Sequence, residues 1–293
     1  MGVVVIGAVL WDIFDDARHI GGAPFNMAAH AQRLGVPTAF ISGVGDDDLG
    51  REILQQARAF GLDTRYIRTA TEAATGTVDV FLTDGQPDYT IHRPAAYDYP
   101  ALSAEDLKSL TQTHVEWIYF GTVEQTSPQV RQVTQTLLNT FPSARRFFDI
   151  NLRKSDHTLG LIEELLHTTT ILKVNEEELV FLGNAFGSSY EASQTSCQML
   201  ATRFELEYIC LTRGERGCAI WHQDEFIESP GYSVPVDDTI GAGDAFSAAF
   251  MHGLEQHWPL AQIADFANRL GALVAAKSGA VPDWTAEELR ALR

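Results

Sequence analysis

The run Asp238-Thr239-Ile240-Gly241-Ala242-Gly243-Asp244-Ala245-Phe246 follows a strand-like segment and opens an apolar, alanine-rich helical pattern. Two glycines there permit a tight turn that leaves backbone amides unpaired at a helix N-terminus, where partial positive charge gathers. Such a turn cradles an anion. A transferring phosphoryl group needs above all positioning and charge stabilisation, which a cradle of this kind supplies. Asp244 would stand beside that anion, where a carboxylate can accept the proton of an alcohol, work worth about 10²–10⁴ in rate. The same residues also read as a plain turn with Asp244 capping the helix.

Other polar groups recur with spacing that suits a ligand. Gly21-Gly22-Ala23-Pro24-Phe25-Asn26 leads into a helical pattern with Pro24 in its first turn. The glycine pair admits either a close-approaching ligand or a turn. Asp12 ends the first strand pattern, the end of a strand at which open α/β sheets bind ligands. Asp149, Asn151 and Arg153 recur at period two, so an extended chain points all three one way; a solvated strand end reads the same. Asn175, ahead of Glu176-Glu177-Glu178, caps a helix whose first turn is acidic. Thr212-Arg213-Gly214-Glu215-Arg216-Gly217 forms a turn-rich polar loop, which a generic hairpin would also need.

These groups are carried by alternating strand and helix patterns. VVVIGAVL, PFNMAAHAQRL, TAFISGVG and LGREILQQARAF come first, with Gly35 and Gly61 at helix C-termini. VEWIYF, RRFFDI, TTILKV and EYICLT continue the strands, with helical stretches around 127–139, 160–167 and 189–203. The reading is an α/β fold, a doubly wound, mostly parallel sheet with helices on both faces. Residues 75–94 break the rhythm with two alternating runs around Asp84-Gly85, the pattern of a β-hairpin that serves as a lid or as surface decoration. After Thr212 come short strand patterns (CAIWH, DEFIES, YSVPV) and helices over about 242–256, 259–276 and 284–291.

The 293 residues suffice for one large core, and 39 acidic against 21 basic residues give a net charge of −18. That charge disfavours nucleic acid and anionic membrane as partners. Only four basic residues are lysines, so a phosphate site is expected to lean on backbone amides, arginine or a metal. Cys197, Cys210 and Cys218 form no CxxC pair, which fits a reducing cytoplasm. The opening MGVVVIGAVLWD lacks a basic start and a cleavage pattern, and is read as a buried strand. No GxxxxGK[ST] occurs. Both GxG candidates, at Gly43 and Gly241, meet Asp48 and Phe246 where a third glycine belongs, which disfavours a dinucleotide oxidoreductase. HExxH and GxSxG are also missing.

DTIGAGDAF resembles the C-terminal signature of the ribokinase-like (PfkB) carbohydrate kinases, DTxGAGD, at every fixed position. The resemblance runs from Asp12 to Pro282 and implies a single ribokinase-like domain over 1–293, with a small β lid from about 13–20 and 75–94. It implies that Asp244 is the catalytic base and that the Gly241, Ala242 and Gly243 amides form the anion hole. GG-x-x-x-N resembles the sugar-contacting element, which nominates Gly21, Gly22 and Asn26, and Asp12 resembles the family's sugar-binding aspartate. DxNxR places Asp149, Asn151 and Arg153 beside substrate. By the same resemblance, Asn175 and Glu178 form an NxxE motif acting on Mg2+ and phosphate through water. Thr212, Gly214 and Gly217 lie along the nucleotide, ATP. The closing segment around Asn268 and 279–282 holds adenine and a monovalent cation such as K+, with Asp238 a further cation residue. GGAPFN, the lid region and DINLR look most like fructokinases, although Gly7-Ala8 stands where many of them carry Gly-Glu. Ketodeoxygluconate, ribose or a nucleoside are the alternative acceptors, and a catalytically silent sugar- or nucleotide-binding regulator is the rival from another class. The resemblance also suggests a homodimer formed through the lid.

Overall fold

The computed structural model describes residues 2–14, 17–83, 86–153, 157–187 and 192–292. In chain order the elements are β1 (Gly2–Ile6), β2 (Leu10–Ile13), β3 (Arg18–Gly21), α1 (Ala23–Arg33), β4 (Thr38–Gly45), α2 (Asp48–Ala59), β5 (Ile67–Ala70), β6 (Gly76–Thr83), β7 (Gln86–Ile91), α3 (Ala104–Thr111), β8 (Val115–Gly121) and α4 (Pro128–Thr140). They continue with β9 (Arg145–Asp149), α5 (Leu159–His167), β10 (Ile171–Asn175), α6 (Glu176–Phe186), α7 (Ser193–Phe204), β11 (Tyr208–Thr212), β12 (Cys218–His222), β13 (Glu225–Ser229), α8 (Ala242–Glu255), α9 (Leu260–Ala275) and α10 (Ala286–Ala291).

Nine strands form the main sheet in the order β13-β12-β11-β10-β9-β8-β1-β4-β5, parallel except that β12 runs antiparallel to both its neighbours, β11 and β13. The period of two in β1 explains why helices are needed on both faces. Val3 and Val5 enter one core with α1, α8 and α9, while Val4 and Ile6 enter the other with α4 to α7. The chain fills one side of β1 with β4 and β5, then crosses to β8 and works outward, so the strand order reverses beside β1. Ligand crevices open at the carboxyl ends of strands flanking such a reversal.

A second sheet, in the order β3-β2-β6-β7, stands apart as the small β layer expected over the main sheet. It begins at Leu10 rather than near residue 13, because VVVIGAVL is not one strand. Gly7, at φ 155, breaks it where any Cβ would run into Pro24. Asp12 therefore sits inside β2 of the second sheet and not at the end of the first main-sheet strand. The Asp84-Gly85 turn lies outside the described residues, and Thr83 pairs with Gln86 on either side of it.

Two other expectations change. YSVPV (232–236) forms no strand; Pro235 lacks an amide donor and Val236 is exposed. The extended run through Arg153 stops at Asp149, because Asn151 turns to φ 37 and ends the period-two alternation. The helical stretch 189–203 begins, among the described residues, at Ser193.

Candidate active site

The segments after β1, β8 and β9 bring Ala8, Glu124 and Asn151, and the last residues of β10 and β11 bring Asn175 and Thr212, to the carboxyl edge of the sheet. There they line a cavity of about 370 Å³. Leu10 and Asp12 from β2, Val78 from β6 and Ile91 from β7 wall its other side, so the second sheet covers it. A neighbouring cavity of about 610 Å³ is bounded by the 212–217 loop, residues 231–236 and helices α8 and α9. Both cavities share Thr212, Thr239 and Gly243, so they meet at the start of α8.

The start of α8 is built by its glycines. Gly241 caps the helix at φ 80, and a side chain there would strike the Ala280 carbonyl. The Ala242 N–H reaches Thr239 O at 3.3 Å. Among the described residues, no acceptor takes the N–H of Gly241, Gly243 or Asp244. Those groups are the unpaired donors of the helix end, available to an anion.

Asp244 lies in the first turn of α8, 8% exposed, and its Oδ2 accepts from Asn26 Nδ2 at 2.9 Å. Burial pushes its carboxyl up to about 6, and the Asp149 charge adds to that. Lys173, the Asn26 hydrogen bond and Arg153 pull the other way. Asp12 rises to about 7 through burial and Asp238, with Arg153 opposing and Asp244 reinforcing. Two carboxyls facing one cavity near neutrality are suited to handle a proton there.

Asn26 Oδ1 and Asp149 Oδ1 are buried acceptors without a partner among the described residues. A hydroxyl-bearing ligand would satisfy such orphans. Asp149 Oδ2 is already engaged, accepting from Lys173 Nζ at 2.8 Å and Tyr119 OH at 2.9 Å.

Most residues nominated from the sequence converge here. Asp12, Gly22, Asn26, Asp149, Asn151, Arg153, Asn175, Glu178, Thr212, Gly241, Gly243 and Asp244 line the first cavity. Thr212, Gly214, Gly217, Ala242, Gly243 and Asn268 line the second. Gly21 and Asp238 line neither. Gly21 leaves room for the Asp12 carboxylate, which a side chain there would displace. Asp238 Oδ1 accepts from Ile240 N at 2.9 Å and shapes the turn into the cradle. Asn175 and Glu178 close a capping box, and the second Glu178 oxygen accepts from Leu152 N at 2.8 Å. Burial raises the Glu178 carboxyl despite those bonds. Asn268 Nδ2 donates to the carbonyls of Ser229 and Pro230, each at 3.2 Å, holding the wall of the second cavity.

Lys173 and Glu124 line the first cavity without having been singled out from the sequence. A lysine inside an apolar strand of a lysine-poor chain was the available signal for Lys173. Glu124 is buried, its Oε1 accepting from Ala8 N at 3.2 Å, a contact between residues 116 apart that no local pattern announces.

The profile of the family described as pfkB family carbohydrate kinase matches residues 11–287. A fructokinase from Escherichia coli is 29% identical, the match covering 95% of this chain and 94% of that one. A fructokinase from Xylella fastidiosa, solved with ATP, superposes with a TM-score of 0.83 at 23% identity over 96% of this chain and 94% of that one. An aminoimidazole riboside kinase from Salmonella enterica, solved with aminoimidazole riboside and an ATP analogue, superposes with a TM-score of 0.82 at 25% identity over 99% of each chain.

Proposed function

The chain belongs to the PfkB family of carbohydrate kinases, and on that premise we propose that it transfers the γ-phosphoryl group of ATP to a hydroxyl of fructose. The observation that carries this reading is the junction of the two cavities at Thr212, Thr239 and Gly243, with Asp244 facing the first of them. An acceptor in the covered, carboxylate-rich cavity and a nucleotide in the larger one would meet at the cradle.

In this reading Asp244 takes the acceptor's proton as its oxygen attacks. The Gly241 and Gly243 amides receive the developing charge, with Ala242 contributing less because its N–H leans on Thr239 O. Asp12, Asn26, Asn151 and Arg153 hold the sugar hydroxyls, Gly22 lets the sugar approach the backbone, and Gly21 makes room for the Asp12 carboxylate. Thr212, Gly214, Gly217 and Asn268 flank the nucleotide. Magnesium, arriving with ATP, supplies charge neutralisation on the phosphates. Among the described residues no group of three or more His, Cys, Asp or Glu is placed to hold a metal directly. Glu178, beside Asn175 at the first cavity, acts on the metal through water. Asp238 serves a monovalent-cation loop.

Fructose is preferred because fructokinases are among the relatives that match over nearly their whole length. The likeness to the riboside kinase makes a riboside the second acceptor to test. Three buried free thiols suit the cytoplasm, and among the described residues no helix is long and apolar enough to cross a membrane. The second sheet acts as a lid, and its edge strands β3 and β7 offer the surface through which two copies would pair.

The test is ADP release from MgATP with fructose, glucose, ribose, ketodeoxygluconate or a riboside, with and without potassium. Fructose is expected to give the highest kcat/KM. Faster turnover of another acceptor would replace the substrate and keep the chemistry.

A further inference from the structure

Lys173, midway along β10, and Asp149, the last residue of β9, are direct cross-strand partners. Lys173 Nζ donates to Asp149 Oδ2 at 2.8 Å, and both side chains are buried. Taking two charges out of water costs several kcal/mol each, and a well-packed apolar pair of the same size would serve the fold as well. The pair therefore calls for a use beyond packing. Among the described residues Asp149 is the sole partner of Nζ, which leaves two of its three N–H donors uncommitted. They lie at the cradle: Nζ is 3.3 Å from where a Cβ on Gly243 would stand, in the cavity lined by Asp244. Burial pulls the ammonium down, but the Asp149 charge and hydrogen bond outweigh it and keep Lys173 protonated.

We propose that Lys173 is a catalytic residue, its ammonium held by Asp149 so as to donate to the oxygens of the phosphoryl group passing Gly243. The inference rests on the kinase reading above. In the step it serves, the acceptor oxygen bonds to the γ-phosphorus and the bond to the β,γ-bridging oxygen breaks, its electron pair leaving with ADP. The acceptor's proton passes to Asp244, and Lys173 stays protonated throughout. The phosphate site thus uses one of the chain's four lysines, where the sequence pointed to amides, arginine or metal alone.

Lys173→Met alone would strand the Asp149 charge and endanger folding, so the decisive variant is Lys173→Met with Asp149→Asn, which removes both charges. Two quantities are measured: kcat, and the affinities for MgADP and for the magnesium complex of a non-hydrolysable ATP analogue. The expected result is a loss of about 100-fold or more in kcat, the scale of losing one donor to a developing charge. Affinity for ADP should hold within about two-fold, and the analogue should lose about ten-fold against ADP, a contact of ~1.4 kcal/mol. Lys173→Arg should keep the analogue-to-ADP ratio close to wild type. Wild-type turnover in the double variant, or an unchanged ratio, would overturn the proposal and leave the pair a structural one. If wild-type protein phosphorylates no acceptor, the kinase reading fails, while the nucleotide ratio still judges Lys173.

Discussion

Asn26 Nδ2, on α1, donates to Asp244 Oδ2, on α8, across 2.9 Å and a sequence separation of 218 residues. The bond ties the helix that follows the glycine pair to the helix that opens with the anion cradle. It also favours the charged form of Asp244, the form able to accept a proton.

Removing that donor should make the base harder to ionise. A hydrogen bond to a charged group is worth about 1.5–3 kcal/mol, so Asn26→Leu should move the acid limb of kcat/KM upward by about one to two pH units. Wild-type activity should fall as pH drops below about 6. The ratio of kcat/KM at pH 8.5 to that at pH 6.5 should therefore rise in the variant. An equal loss at both pH values would place Asn26 in sugar binding alone.

Asp12 carries a folding penalty. Its folded pKa of about 7 exceeds the ordinary carboxylate value, so the folded state resists its ionisation. The penalty is fully present above pH 7 and disappears below about pH 4. Asp12→Asn should stabilise the protein at pH 8 by up to roughly 4 kcal/mol and leave it unchanged at pH 4, while weakening the acceptor's KM. Urea midpoints at the two pH values check this, and equal shifts at both would contradict it.

His30 behaves in the opposite sense. It is fully buried on α1; its Nε2 donates to Ala280 O at 3.0 Å, and its Nδ1 accepts from Trp284 Nε1 at 3.4 Å. Burial lowers its pKa to about 4, so the folded state holds it neutral. Its contribution is present above pH 6.5 and is lost as pH falls toward 4, up to roughly 3 kcal/mol. His30→Gln should flatten that part of the stability curve. A curve that keeps the same slope between pH 6.5 and 4.5 would assign the acid loss elsewhere.

What was legible in the sequence was local. DTIGAGD announced its own turn, its free amides and its acid because all of them lie within one helix start. Asn175 and Glu178 announced a cap for the same reason. The remainder depends on distant neighbours. The break at Gly7 follows from its packing against Pro24, which moved Asp12 from the main sheet to the covering one. The turn at Asn151 cancelled a period-two reading that assumed an extended chain. Lys173 meets Asp149 through the register of two parallel strands, which no spacing within either strand encodes. Glu124 reaches Ala8 in the same non-local way.

The central claim, that Asp244 is the base of a sugar kinase, is tested most directly by Asp244→Asn, assayed for ADP release and titrated with fructose. The substitution keeps the size of the side chain and removes its ability to take a proton. Turnover should fall by about 10²–10⁴ while fructose affinity changes little. Turnover within a few-fold of wild type would contradict the claim.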